Sequence, residues 1–257
     1  MTDIIAEQNG PVGIIRLNRA DKFNCLSLDV MLGITASLDR FEADQTVRAV
    51  LIAGNGKHFC TGADLDEVQR LREDRSALAG FIATGHAALC RLEASRLPVV
   101  AAVQGMCLAG GLELMLACDL VIAASTARFG DQHAQFGLIP GWGGSQRLTR
   151  TIGLRRAMDL FFSAAWIDAK AAREWGLVNR VTTDSALLTD AMAWCRTLAE
   201  RSRSGLAVMK HLARQGANTT LQAGLQLEQD LAVDALLSPD VAEGLTALKD
   251  RRKPRFA

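Results

Sequence analysis

The chain has 257 residues, 29 Lys and Arg against 28 Asp and Glu, a formal charge of +1 and 49% hydrophobic residues. That length bounds it to one large domain or to a core with an appended helical segment. The near-neutral balance provides no electrostatic footprint for nucleic acid or an anionic membrane, so an anionic ligand has to be held locally.

The opening MTDIIAEQNG has neither the basic n-region nor the apolar h-region of a secretion signal, so the expected location is the cytoplasm. VGIIRLNR (12–19) reads as a strand, and LSLDVMLGITASLDRFEAD (26–44) as a helix with Ser27 at its N-cap and Leu28, Met31, Leu32 and Leu38 at helical spacing. VRAVLIAG (47–54) and PVVAAVQG (98–105) are short, continuously apolar and β-branched, which predicts buried strands. LELMLAC fits a helix and DLVIAAS (119–125) another strand. Such alternation predicts an α/β core with largely parallel pairing. After about residue 150 helical patterns dominate, with LRRAMDLFFSA, SALLTDAMAWCRTLAERS, GLAVMKHLARQGA and LQAGLQLEQDLAVDALL in succession. The longest apolar runs, such as LPVVAAV (97–103), are too short to span a bilayer, and no linker or fixed-period repeat divides the chain.

Six cysteines without CxxC spacing, mostly in apolar runs, read as buried thiols in a reducing compartment and not as a zinc site or disulfide framework. Three stretches carry groups capable of chemistry. GNGKHFCTGADLDEV (54–68) and QGMCLAGGLELMLACD (104–119) are both Gly-rich strand-to-helix turns. Each exposes backbone N–H groups at a helix start, where the peptide dipoles favour negative charge, and two such turns converging would make an oxyanion hole. Either turn is equally compatible with simple tight packing. Neither matches a dinucleotide or P-loop fingerprint, and GGSQR (143–147) lacks the flanking glycines of a nucleophile elbow. Glu113 lies in an otherwise apolar helical run, where a carboxylate must be paired, neutralised or working. In FGDQHAQFGLIPGWGG (129–144), His133 is a packed structural residue, a metal ligand or a proton carrier; His58, His86 and His211 show no ligand spacing with it. Asp131 and Gln132 flank it, and either could fix its tautomer.

GADLDEV, AGGLELMLACDLVIAAS, FG-x₆-GLIPGWGGSQRLTR, WIDAKAAREWGLVNRV and EGLTALKDRRKPRF, in this order and at these distances, resemble the enoyl-CoA hydratase/isomerase (crotonase) family over nearly the whole chain. The resemblance implies a spiral of ββα units over 1–195 and a C-terminal helical oligomerisation region over 196–257, in one continuous unit. It implies homotrimers, often paired into hexamers, and an acyl-CoA thioester as substrate, with coenzyme A as part of it and no separate cofactor or metal. The implied oxyanion donors are the N–H groups of Ala63 and Gly110, with Gly62, Asp64, Leu65, Gly111, Pro140, Gly141 and Trp142 around the substrate. Asp64 is read foremost as a helix cap, Trp142 as narrowing the acyl pocket or packing under the loop, and the charge-rich segment 65–80 as a mobile or solvated lid. Arg147, Arg150, Arg155, Arg156, Arg251, Arg252, Lys253 and Arg255 are candidates for CoA phosphates.

Hydratases of this family use two glutamates. Glu113 matches the first; the second falls on position 133, where this chain carries His. The leading expectation is hydration of a 2-enoyl-CoA, or the reverse, with Glu113 as base and His133 as acid. Another enolate reaction on an acyl-CoA (double-bond isomerisation, decarboxylation or C–C hydrolysis) is the first alternative, and a non-catalytic acyl-CoA binder the second.

Overall fold

A strand that is apolar on both faces has to be covered on both, and the central strands of this chain are. The computed structural model describes residues 2–256. In chain order its elements are β1 (Ile4–Asn9), β2 (Val12–Leu17), α1 (Leu28–Ala43), β3 (Ala49–Gly54), α2 (Leu65–Leu71), α3 (Arg75–Ala94), β4 (Val99–Val103), β5 (Met106–Leu108), α4 (Gly110–Ala117), β6 (Leu120–Ala124) and β7 (Arg128–Gly130). There follow α5 (Gly144–Ile152), α6 (Leu154–Ser163), β8 (Ile167–Asp168), α7 (Ala169–Glu174), β9 (Arg180–Thr182), α8 (Leu187–Ala199), α9 (Arg203–Gly216), α10 (Leu221–Leu236) and α11 (Pro239–Lys249).

β1 and β2 pair antiparallel, and parallel pairing continues the large sheet in the order β1-β2-β3-β4-β6-β9. Side-chain alternation divides the strands between two cores. Ile15, Val50, Ile52, Ala101 and Val103 pack with α1, α3 and α4; Ile14, Leu51, Ala53 and Ala102 pack with Leu187, Ala191 and Trp194 of α8. β5, β7 and β8 form a second, three-stranded sheet. The chain therefore leaves the large sheet after β4 or β6, contributes β5 or β7 to the small one, and returns through helix. A parallel bridge between Cys60 and Cys107 brings the segment after β3 to the same small sheet. This is the expected spiral of two strands and a helix per turn.

Ser27 caps α1 by accepting from the Val30 N–H, and the buried stripe is Val30, Met31, Ile34, Leu38 and Phe41, while Leu32 faces solvent. The charge-rich segment 65–80 folds as α2 and the first turns of α3, capped by Asp64 and Asp74. Residue 195 lies inside α8, whose Leu187, Ala191, Trp194 and Cys195 pack on the large sheet. α9 docks on the core through Lys210 and Arg214, and α10, which has no buried residue, packs on α9. Among the described residues all six cysteines are free, and no helix is long and apolar enough to cross a membrane.

The seat of α4 depends on a glycine. A Cβ on Gly111 would lie 2.2 Å from the Cys60 carbonyl oxygen, a backbone atom that cannot yield without moving its strand-to-helix turn. Gly111→Ala is expected to cost at least about 1–3 kcal/mol, as overpacking does. Chemical denaturation reads this as a lower midpoint; an unchanged midpoint would contradict the contact.

Candidate active site

Two strand-to-helix turns and one loop-to-helix turn converge on one cavity of about 450 Å³, a size typical of small-molecule sites. The first is Gly62-Ala63-Asp64. Gly62 has φ +113°, and Asp64 accepts from the Asp66 and Glu67 N–H groups while Arg19 Nη2 donates to it at 2.7 Å. Asp64 is thus a helix cap locked by an ion pair, which holds its carboxyl below the usual range despite the opposing effect of burial. The second turn is Leu108-Ala109-Gly110, where Ala109 sits at φ 46°, ψ −119°, a sparsely populated conformation for a residue with a Cβ. The strain opens the start of α4. Neither the Ala63 nor the Gly110 N–H has a protein acceptor among the described residues, and a Cβ on Gly110 would lie 3.2 Å from the Ala63 nitrogen. Two free donors therefore stand side by side on the cavity wall, and only a residue without a Cβ fits between them and the Trp142 ring, 2.7 Å from that same point.

The third turn, Trp142-Gly143-Gly144, holds the protein's own anion. Glu113 is 1% exposed, and its Oε1 accepts from Trp142 N at 2.8 Å and from Gly144 N, at the start of α5, at 2.7 Å. Gly143 takes φ +97°, and a Cβ on Gly144 would crowd the Glu113 side chain at 3.0 Å. Burial pushes the Glu113 carboxyl above its ordinary value; the Gly144 N–H, the nearby His133 and the Trp142 N–H oppose this without cancelling it.

His133 opens the short 3-10 turn that follows β7 and points Nε2 at Glu113 Oε2, 3.9 Å away. Of its two neighbours, Asp131 holds the ring: Oδ1 lies 2.9 Å from Nδ1 and also accepts the His133 backbone N–H. Gln132 instead donates to the Ala164 carbonyl. Burial lowers the His133 pKa, but the hydrogen bond and charge of Asp131, together with Glu113, outweigh it and raise the value above that of a free imidazole. Because Asp131 is itself 1% exposed, its charge acts with little solvent screening.

Ala63, Asp64, Leu65, Gly110, Glu113, His133, Gly141 and Trp142 of the expected site residues line the cavity. Gly62, Gly111 and Pro140 do not; they shape the backbone behind its wall. Trp142 is buried, with its ring tilted on Phe81 and wedged against Gly85, so it closes one end of the cavity as well as packing under the loop. Exposed Phe136, Leu138 and Ile139 form an apolar lip, and Lys22 with Asp21 and Asp66 forms a charged one. Arg147, a candidate for phosphate, is committed to Glu93 and the Trp142 carbonyl, and Arg252 to Glu243. The third turn, the Asp64–Arg19 pair and the α3 wall were not anticipated from the sequence. GWGG carried the signal for the first of these, a glycine pair opening a helix as Gly110 and Gly111 do at the start of α4.

The family model for enoyl-CoA hydratase/isomerase matches residues 7–257. The chain is 39% identical over 253 residues to the "Probable enoyl-CoA hydratase" of Mycobacterium tuberculosis, covering 98% of this chain and 97% of that one. Among solved structures, an enoyl-CoA hydratase from Bacillus anthracis superposes with a TM-score of 0.94 at 33% identity over 99% and 98% of the two chains. One from Polaromonas sp. JS666 does so with 0.96 at 30% identity over 99% of each.

The electrostatic assignment of His133 is checkable. Asp131→Asn removes the charge that opposes burial, so the His133 ring, followed by proton NMR, should titrate at lower pH than in the parent. An unshifted titration would exclude Asp131 as the cause.

Proposed function

The chain belongs to the enoyl-CoA hydratase/isomerase family, and from that premise we propose that it adds water to the double bond of a 2-enoyl-CoA, or removes it from the 3-hydroxyacyl-CoA. The observation that carries this is buried Glu113 and half-buried His133, 3.9 Å apart, in the same cavity as two free backbone N–H groups. The thioester oxygen sits between the Ala63 and Gly110 donors. A water within about 2.8 Å of both side chains fits beside their separation. Glu113 takes its proton as the oxygen attacks C3, and the π electrons move to the thioester oxygen as an enolate. One oxyanion donor of this type lowers such a barrier by about 3–4 kcal/mol. The enolate collapses as C2 takes the Nε2 proton of the His133 imidazolium. Hydroxyl at C3 and hydrogen at C2 complete the addition, and return of the proton from Glu113 to His133 resets the pair. Asp131 keeps the second ring proton on Nδ1 and the reacting nitrogen towards Glu113.

The pH dependence follows from the two shifts. Activity requires ionised Glu113 and protonated His133. With both values raised, the acid limb of kcat/KM should lie above the ordinary carboxylate range and the basic limb above the ordinary imidazole range. Glu113→Gln and His133→Ala should each lower kcat/KM on the best 2-enoyl-CoA by about 10²-fold or more. A loss below about tenfold for His133→Ala would remove it as the acid. Faster turnover of a 3-enoyl or branched malonyl thioester than of any 2-enoyl-CoA would favour a different enolate reaction. Tight acyl-CoA binding without turnover of any thioester would favour a binding protein.

We also infer a homotrimeric assembly. Leu221, Leu225, Val233 and Leu236 on α10, Leu237 just after it, and Leu245 and Leu248 on α11 are exposed, and an apolar surface of this extent suits subunit contact. Sedimentation equilibrium should give a mass of three or six times the 27.6 kDa chain. A monomer would overturn this.

A further inference from the structure

The two N–H groups that hold Glu113 lie on a loop joined by a chain of charged side chains to α9 of the C-terminal layer. Arg147 of α5 donates through Nη1 to the Trp142 carbonyl at 2.5 Å, and through Nε and Nη2 to both oxygens of Glu93 at 2.8 and 2.6 Å. Glu93, at the end of α3, also takes Arg214 Nη1 of α9 at 2.8 Å. The remaining nitrogens of Arg214 reach Asp119 Oδ1 and the carbonyl of Ala117, the last residue of α4. Arg214 thus touches the end of the helix that carries Glu113 and, through Glu93 and Arg147, braces the loop that binds it. Lys210, one turn earlier on α9, offers a contrast. It bonds Asp119 and the Leu92 and Leu97 carbonyls, anchoring the same helix without touching Glu93 or Arg147.

We propose that Arg214, Glu93 and Arg147 form a positioning unit for Glu113, through which the docking of α9 sets the register between α4 and the 140–144 loop and so the two N–H contacts of the carboxylate. The role in turnover rests on Glu113 being the base, as proposed above; the effect on the carboxylate does not. The three side chains are largely shielded, so their pairs are weakly screened, and removing one partner leaves the others uncompensated. The charged groups acting on Glu113 itself are His133 and Asp131, on the segment after β7. Both are left untouched by the variants below. The N–H contacts hold the Glu113 carboxyl down, so loosening them raises it.

The test uses the full chain with ¹³C-labelled glutamate, the Glu113 signal being assigned by its loss in Glu113→Gln. In Arg214→Met the carboxyl should titrate at least about half a pH unit higher than in the parent. The acid limb of kcat should move with it while KM changes less than about twofold, and Arg214→Lys should show a smaller shift than Arg214→Met. Lys210→Met should lower Tm yet leave the titration in place. If Arg214→Met does not fold, Glu93→Gln supplies the same reading, since it removes the charge between the two guanidinium groups and keeps the shape. An unmoved titration overturns the proposal, as does an equal shift in Lys210→Met. A titration that moves while the acid limb stays put leaves the positioning intact and removes Glu113 as the base.

Discussion

A carboxylate buried in an apolar helix is the constraint around which the rest is arranged. Leaving Glu113 uncompensated would cost several kcal/mol, and the compensation comes from a turn about thirty residues downstream in the chain, where Gly143 takes a positive φ and Gly144 starts a helix. The N–H groups at that start suit an anion for the same reason that helix starts elsewhere bind phosphate. They stabilise the ionised form only in part, so burial leaves Glu113 with a raised pKa.

The same device recurs with a different occupant. The Ala63 and Gly110 N–H groups have no protein acceptor among the described residues, and Gly110 starts its helix just after the strained backbone of Ala109. One turn is filled by the protein's own carboxylate and two are left without a protein acceptor. His133 completes the arrangement from the segment after β7. Its ring is held by Asp131, and its raised pKa keeps it protonated where a free imidazole would lose its proton. The two side chains face each other across 3.9 Å, one an acidic and the other a basic group, each with a pKa above its ordinary value.

Legibility differed between elements for physical reasons. The β3 and β4 runs could be read because both faces of each strand are buried, so the apolar pattern is continuous. β5, β7 and β8 span two or three residues each, too few for any periodicity, and they were missed although they create the second sheet. The charge-rich stretch after Asp64 reads as solvated and is helical, because charge says which face meets water and little about backbone conformation. In the site, Glu113 and the glycine turns stood out as local anomalies. The choice between Asp131 and Gln132 could not be made from spacing. It depends on the Ala164 carbonyl, 32 residues after Gln132, which takes the glutamine side chain and leaves the aspartate for the ring.

Local chemistry in the sequence therefore determined the α/β core, the buried glutamate, the free N–H groups at two turns and the presence of a histidine four residues after Phe129. These depend on residue type and near-neighbour spacing. Tertiary structure decided that the three turns face one cavity, that Glu113 is held by the GWGG backbone, that Asp131 and not Gln132 orients His133, and that Arg147 braces the loop while Arg214 ties α9 to it. Each of those is a contact between residues far apart in the chain, set by how the helices seat on the sheets, and no local pattern encodes it.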